Sequence, residues 1–233
     1  MGGSQAKIVL TADGSHSVRS SQFGVDYHSV HGAVQESQHV FIKMGLQPLL
    51  ENTPAKLRIL EMGFGTGLNA LLVSLIAEQR PDIQFFYQSF EQFPLSSEVI
   101  GGLNYPAVLE VSPAKLKSLH NAKWEAPTQL GDNFSFAKYQ TEFPQKSTEI
   151  ISAGWADIIF YDAFAPASQP ELWGPEAMKE CYRLLSDGGQ LVTYCAKGQF
   201  KRDLKSVGFR VECPAGPPGK REMTRGIKEI DTL

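Results

Sequence analysis

Glu61, Glu91 and Asp162 each close a run of strand-forming residues: LRILE (57–61), IQFFYQSFE (83–91) and WADIIFYD (155–162). A carboxylate at a strand end can accept paired hydroxyl donors, answer a cation, or take a proton from a reacting group. Glu61 runs into Met62-Gly63-Phe64-Gly65-Thr66-Gly67. Glycines spaced this way allow a tight turn and let a bound molecule lie against the main chain. Glu91 follows Gly65 at roughly the twenty-odd-residue interval where doubly wound nucleotide binders place an acid for two ribose hydroxyls. The plainer reading of Glu91 is a surface acid at a strand end. Asp162 opens DAFAPASQPELW, a loop with two prolines and the flat side chains Phe164 and Trp173, which suit a nucleobase. Lys197, Lys201, Arg202, Lys205, Lys220, Arg221 and Arg225 gather positive charge in the last third of the chain. Such a patch can bind phosphates or can be a solvated face.

The elements that must position these groups follow from pattern. After the glycine turn, Leu68, Leu71, Leu72, Leu75 and Ile76 recur at helical spacing, and Arg80-Pro81-Asp82 stops the helix near Gln79. Its first N–H groups face whatever lies in the turn. Gly174-Pro175-Glu176 starts another helix that Asp187-Gly188-Gly189 ends, and Gln190–Cys195 is the next strand. A short basic helix over 200–207, a strand over 209–214, a loop over 215–222 and a strand over 223–227 complete the chain. Upstream, Ile8–Thr11 and His16–Arg19 read as a hairpin about Asp13-Gly14. Gln35–Leu50 reads as a helix broken at Pro48. With the preceding loop it either covers the cleft, pointing Tyr27 and Glu36 inward, or is a solvated connector. Residues 96–130 carry little signal beyond Pro106, Pro113, Leu116, Leu119 and Trp124.

Composition bounds the answer. The 233 residues, 42% hydrophobic, make one large domain or two small ones. A net charge of −3 gives no whole-molecule pull toward nucleic acid. Cys181, Cys195 and Cys213 show neither ligand spacing nor a disulfide framework. His28, His31 and His39 have no acid or thiol cluster that completes a metal site. No leader pattern and no long apolar run appears, so the expected location is cytoplasmic, with no membrane partner.

The acid-ended strand with G-x-G-x-G resembles the first motif of class I S-adenosylmethionine (SAM) methyltransferases. There a carboxylate near the position of Glu61 answers the cationic methionine end of SAM. More narrowly, GFGTGLN (63–69), SFEQFPL (89–95), DAFAPASQPELW (162–173) and GKREM (219–223) look like the methyltransferase of the MnmC family. YHSVHGAVQESQHVF is similar to that family's N-terminal acidic helix, with Glu36 as its acid. The likeness runs from Asp26 to Ile227. Glu61 departs from it, since some members carry a smaller residue nearby.

The resemblance implies an α/β, Rossmann-like fold. Its sheet would be mostly parallel and seven-stranded with an antiparallel last strand, behind a small N-terminal β ribbon. A hairpin extension (1–22) would precede the methyltransferase domain (23–233). It implies methyl transfer from SAM, leaving S-adenosylhomocysteine (SAH), to the aminomethyl nitrogen of a wobble uridine in the tRNA anticodon loop. SAM would lie among Tyr27, Glu36, Glu61, Gly63, Gly65, Gly67, Asn69, Glu91, Phe93, Asp132, Asn133 and Asp162. Asp132 could accept from the adenine amino group, or form an Asx turn. Asp162 would orient the amine or take its proton. Phe164 and Trp173 would flank the uracil, and Lys220 and Arg221 would hold tRNA phosphates. No metal and no flavin are implied. Fused members carry a following flavin oxidase and this chain stops at Leu233, so a stand-alone enzyme is expected, working after a separate complex has installed the aminomethyl group. Four rivals remain: another class I SAM methyltransferase acting on a small amine, an aminopropyltransferase resembling spermidine synthase, a nicotinamide oxidoreductase, and a non-catalytic RNA-binding module.

Overall fold

The computed structural model describes residues 6–230. β1 (Lys7–Leu10) and β2 (His16–Arg19) form the hairpin, turning through Gly14 at φ 82°. Met1 and Gly2 lie outside the described residues. α1 (Ala33–Ser37) passes directly into a π-helical stretch (Gln38–Leu46) and then α2 (Gln47–Leu50). The expected break at Pro48 is absent. Pro48 has no N–H for the Met44 carbonyl, and Arg225 Nη1 donates to that oxygen instead, at 3.3 Å.

β3 (Lys56–Met62), α3 (Leu68–Gln79) and β4 (Gln84–Glu91) form the first parallel unit. The short helices α4 (Ser97–Gly101), α5 (Tyr105–Val108) and α6 (Pro113–Asn121) lead to β5 (Thr128–Gly131) and β6 (Phe134–Gln140). Then come α7 (Ser147–Ile150), β7 (Ala156–Tyr161), α8 (Pro175–Leu184), β8 (Leu185–Thr193), α9 (Gly198–Ser206), β9 (Phe209–Glu212) and β10 (Thr224–Lys228).

The sheet order is β5-β6-β4-β3-β7-β8-β10-β9. β6, β4, β3, β7 and β8 are parallel, while β10 runs antiparallel to β8 and β9. The expected seven strands are thus joined by β5, an antiparallel edge strand paired to β6. Asp187-Gly188-Gly189 lies inside β8 as a bulge opposite the start of β7 rather than ending α8, which stops at Leu184.

Central parallel strands are buried on both faces. Ile59, Phe85, Tyr87, Phe136, Ile158 and Phe160 pack toward α3, α6 and the π-helical stretch. Leu60, Met62, Phe90, Ile159, Tyr161 and Leu191 pack toward α8 and α9. The chain builds outward from β3 through β4 to β6, then returns to β7 on the other side of β3. That reversal leaves a crevice outside the carboxyl ends of β3 and β7, where open α/β sheets bind ligands.

Candidate active site

At the end of β3, Gly63 N donates to Phe90 O at 2.9 Å, and Asp162 N donates to Met62 O at 3.0 Å. These bonds draw the ends of β4 and β7 against the glycine turn. A Cβ on Gly63 would stand 2.7 Å from the Asp162 carbonyl oxygen, at a φ of 94°, so only glycine permits the approach. Gly65 faces the Tyr27 ring, which a Cβ there would meet at 2.9 Å.

The resulting cleft, about 750 Å³ counting the part open to solvent, is lined by Tyr27, Gly63, Gly65, Asn69, Glu91, Phe93, Asp162 and Phe164. Eight of the expected site residues therefore share one hollow. Glu91 Oε2 accepts from Gly65 N at 2.8 Å and Oε1 from Phe93 N at 2.7 Å. Burial pushes its pKa up and these N–H groups pull it down. Each oxygen keeps a lone pair for a hydroxyl. Phe23, Tyr27, Phe93 and Phe164 make a continuous aromatic wall, with Phe23–Phe93, Tyr27–Phe164 and Phe23–Phe164 centroids 5.7, 4.6 and 4.8 Å apart.

Asn69, in the first turn of α3, ties two acids together. Its Nδ2 donates to Asp162 Oδ2 at 2.8 Å and to Glu61 Oε1 at 3.1 Å. Ser89, opposite Glu61 in the β3–β4 register, donates to Glu61 Oε2 at 2.7 Å. Burial raises the Glu61 pKa to about 8, with the Asp162 charge pushing the same way. Burial, then the Glu36 charge, raises Asp162 to about 7, while Asn69 and Lys220 oppose the shift. Glu61 thus keeps its proton at neutral pH, and Asp162 titrates near neutrality. Asn69 Oδ1 and Thr141 Oγ1 are buried with no hydrogen-bond partner. Two orphaned polar atoms at a cleft with a hydroxyl-accepting acid fit a nucleoside bearing an amino-acid tail.

Several expected residues stand elsewhere. Glu61 is fully buried and lies beneath the cleft, reaching it only through Asn69. Gly67 caps α3 at φ 75° and backs onto His120 rather than the cleft. Asp132 and Asn133 lie at the opposite edge of the sheet, before β6 begins. Asn133 Nδ2 donates to Ala77, Arg80 and Ile83 carbonyls at 2.8–2.9 Å, closing the end of α3. Trp173 is 4% exposed. Its Nε1 donates to Phe164 O at 2.7 Å and its ring packs on Tyr161 and Phe200, so it props the loop instead of offering a face. Glu36 is buried beside the cleft: Oε2 accepts from Ser29 N at 3.2 Å and Oε1 from Lys220 Nζ at 2.7 Å. Lys220 is thereby turned inward, whereas Arg221 is exposed. The three upstream histidines diverge. His28 is at the cleft, His31 lies against Gly219, and His39 Nε2 meets Ala215 O.

Sequence reasoning missed Thr141, Phe143 and Gln169, which also line the cleft. The first two follow β6, a strand whose pattern is not legible in the sequence. Gln169 Oε1 accepts from Phe164 N at 3.1 Å and fixes the loop.

Residues 137–229 match a family described as S-adenosyl-L-methionine-dependent methyltransferase. The crystal structure of MNMC2 from Aquifex aeolicus superposes with a TM-score of 0.79 at 26% identity, covering 96% of this chain and 70% of that one. The tRNA 5-methylaminomethyl-2-thiouridine biosynthesis bifunctional protein MnmC of Pseudoalteromonas atlantica is 30% identical over 97% of this chain and 34% of its own length. The chain thus spans about a third of the curated relatives it matches. A probable spermidine synthase from Corynebacterium glutamicum shares the fold, with a TM-score of 0.52 and 19% identity over 97% of this chain and 77% of that one. No helix among the described residues is long and apolar enough to cross a membrane.

Proposed function

We propose that this protein is a methyltransferase that moves a methyl group from SAM to the aminomethyl nitrogen of 5-aminomethyl-(2-thio)uridine at the wobble position of tRNA, in the cytoplasm. The observation that carries the reading is Asp162. It is an acid titrating near neutrality, held by Asn69 at the lip of a cleft that fits a nucleoside. The name of the MnmC relatives supplies the acceptor. A separate modification system would install the aminomethyl group.

In this reading Glu91 holds the ribose hydroxyls, Phe93 and Thr141 meet the base, and Asn69 with the glycine turn meets the amino-acid end. When bound, SAM supplies a methyl group on a positively charged sulfur. An amine attacks only as the free base, because an ammonium has no lone pair. Asn69 donates to Asp162 Oδ2, which leaves Oδ1 the more basic oxygen to take the acceptor proton. With its pKa raised to about 7, the carboxylate lies closer to an amine in basicity than an exposed aspartate does. The aromatic wall of Phe23, Tyr27 and Phe164 excludes water and fixes the acceptor's approach. Trp173 holds Phe164 in place from behind.

The test is to incubate the purified protein with SAM and tRNA from cells lacking this activity, then weigh the released nucleosides. Conversion of the 5-aminomethyl nucleoside to its methylaminomethyl form is expected. SAM binding with no such conversion would overturn the reading.

A further inference from the structure

The ammonium of Lys220 is turned into the protein from a loop whose neighbour Arg221 faces solvent. Its Nζ donates to Glu36 Oε1 at 2.7 Å and stands 4.1 Å from the centroid of the Tyr194 ring. Tyr194 Oη donates to Ala163 O at 2.8 Å, which fixes that ring beside the residue following Asp162. The Glu36 and Lys220 charges both act on Asp162, in opposite directions, and Asp162 and Ala163 line the cleft. Asn69, bonded to Asp162, carries a buried oxygen with no partner.

An aromatic face bordered by carboxylates is a receptor for a primary ammonium. Lys220 shows this directly, because a primary ammonium on a methylene already sits there. That is the same functional group as the aminomethyl acceptor of the proposed function, on which this inference rests. We propose that the Tyr194 ring, Glu36 and Asp162 form the acceptor-amine subsite, and that Lys220 fills it as an internal stand-in which the incoming aminomethyl group displaces. The exchange keeps charge in balance: one ammonium enters as another leaves, and the buried Glu36 is never left unpaired. The Lys220 side chain is 32% exposed and its neighbour Arg221 faces solvent, so an outward path to water is open to it. There a displaced ammonium meets solvent. The stand-in lowers the apparent affinity for a free amine by the fraction of molecules whose subsite is open.

The test measures binding of n-butylammonium, a bare primary ammonium, to the SAH-loaded protein by ligand-observed NMR titration, at a pH where Asp162 is ionised. Lys220→Met should bind it roughly five-fold or more tightly than the wild type, and the Lys220→Met/Glu36→Gln double variant should lose that gain. Lys220→Gln serves as a second variant, and unchanged SAH affinity confirms that each is folded. Equal or weaker binding in both Lys220 variants would overturn the proposal. A parallel titration with 5-aminomethyluridine against uridine separates the two ideas. A gain for n-butylammonium with no preference for the aminomethyl nucleoside supports the subsite and sinks the wobble-uridine reading. The reverse pattern sinks the stand-in alone.

Discussion

Replacing Glu61 by Gln tests the claim that the acid beneath the cleft is carried as a neutral group. Glu61 is fully buried among Asn69, Ser89 and the sheet, and its pKa rises from 4.5 to about 8 on folding. The folded state therefore binds this proton more tightly than the unfolded chain does. For a carboxyl raised in this direction, stability is full below the unfolded pKa, falls as pH climbs toward the folded pKa, and is level beyond it. Each tenfold gain in proton affinity is worth about 1.4 kcal/mol. The loss across that window is then on the order of 5 kcal/mol, an upper figure because a relaxing site admits water. The amide of the Glu61→Gln variant cannot ionise, so this slope disappears. Urea midpoints measured from about pH 5 to about pH 9 should diverge, the variant gaining on the wild type as pH rises until about pH 8. Asp162 also titrates with a raised pKa, but it is present in both proteins. Parallel stability curves would refute a protonated Glu61 and place the ionised acid in direct reach of solvent or cofactor.

Asp162→Asn should abolish methyl transfer while leaving SAH affinity within a few-fold of wild type; turnover at the normal rate in the nucleoside assay would remove the acid from the chemistry. Glu91→Ala strands the Gly65 and Phe93 N–H groups and removes the hydroxyl acceptor, so SAH affinity by calorimetry should fall roughly ten- to hundred-fold. Asn133→Ala leaves three carbonyls without their donor and should cost about 2–3 kcal/mol in urea unfolding, with SAH affinity unchanged. Asp13→Ala removes a side-chain cap from the start of α1 and should cost about 1 kcal/mol by the same measurement.

What the sequence made legible was the part of the site built from short stretches of chain. The glycine turn, Glu91 and Asp162 each sit at the end of a strand whose residues are apolar enough to be read directly, and parallel strands deliver their ends to one edge. The failures have one physical source, partners brought from far along the chain. β6 escaped because Lys138 interrupts its pattern, yet Lys138 is 1% exposed, bonded through Nζ to His120 O and stacked over Trp124. With β6 illegible, the expected adenine contact falls on Asp132 and Asn133, which precede β6 instead of following it. Trp173 read as an open face because its neighbours Tyr161 and Phe200 come from β7 and α9. Lys220 read as a phosphate contact because its partner Glu36 is 184 residues away. Charge and aromaticity state what a side chain can do, and only packing decides whether it faces water.

The N-terminal hairpin shows how that packing reaches the chemistry. Its turn supplies Ser15 Oγ to Ala33 N and Val34 N at 3.2 Å, and Asp13 Oδ2 to Gln35 N at 2.9 Å. These are the orphan donors at the start of α1, the helix whose next residue is Glu36. Asn104 anchors the same turn from the domain side, accepting from His16 N at 2.8 Å and donating to Gly14 O at 2.9 Å. The hairpin is therefore a clamp between α5 and α1. It sets where Glu36 stands relative to Asp162, and Val18 O holds Tyr27 N at 2.9 Å, which sets where the ring lies over Gly65. Glu36 is 7% exposed in the helix's first turn, where the helix dipole and its ammonium partner both favour a negative charge. If the clamp were loosened, Glu36 would gain water, its hold on any ammonium would weaken, and Asp162 would lose the neighbouring charge that helps keep its pKa near neutrality.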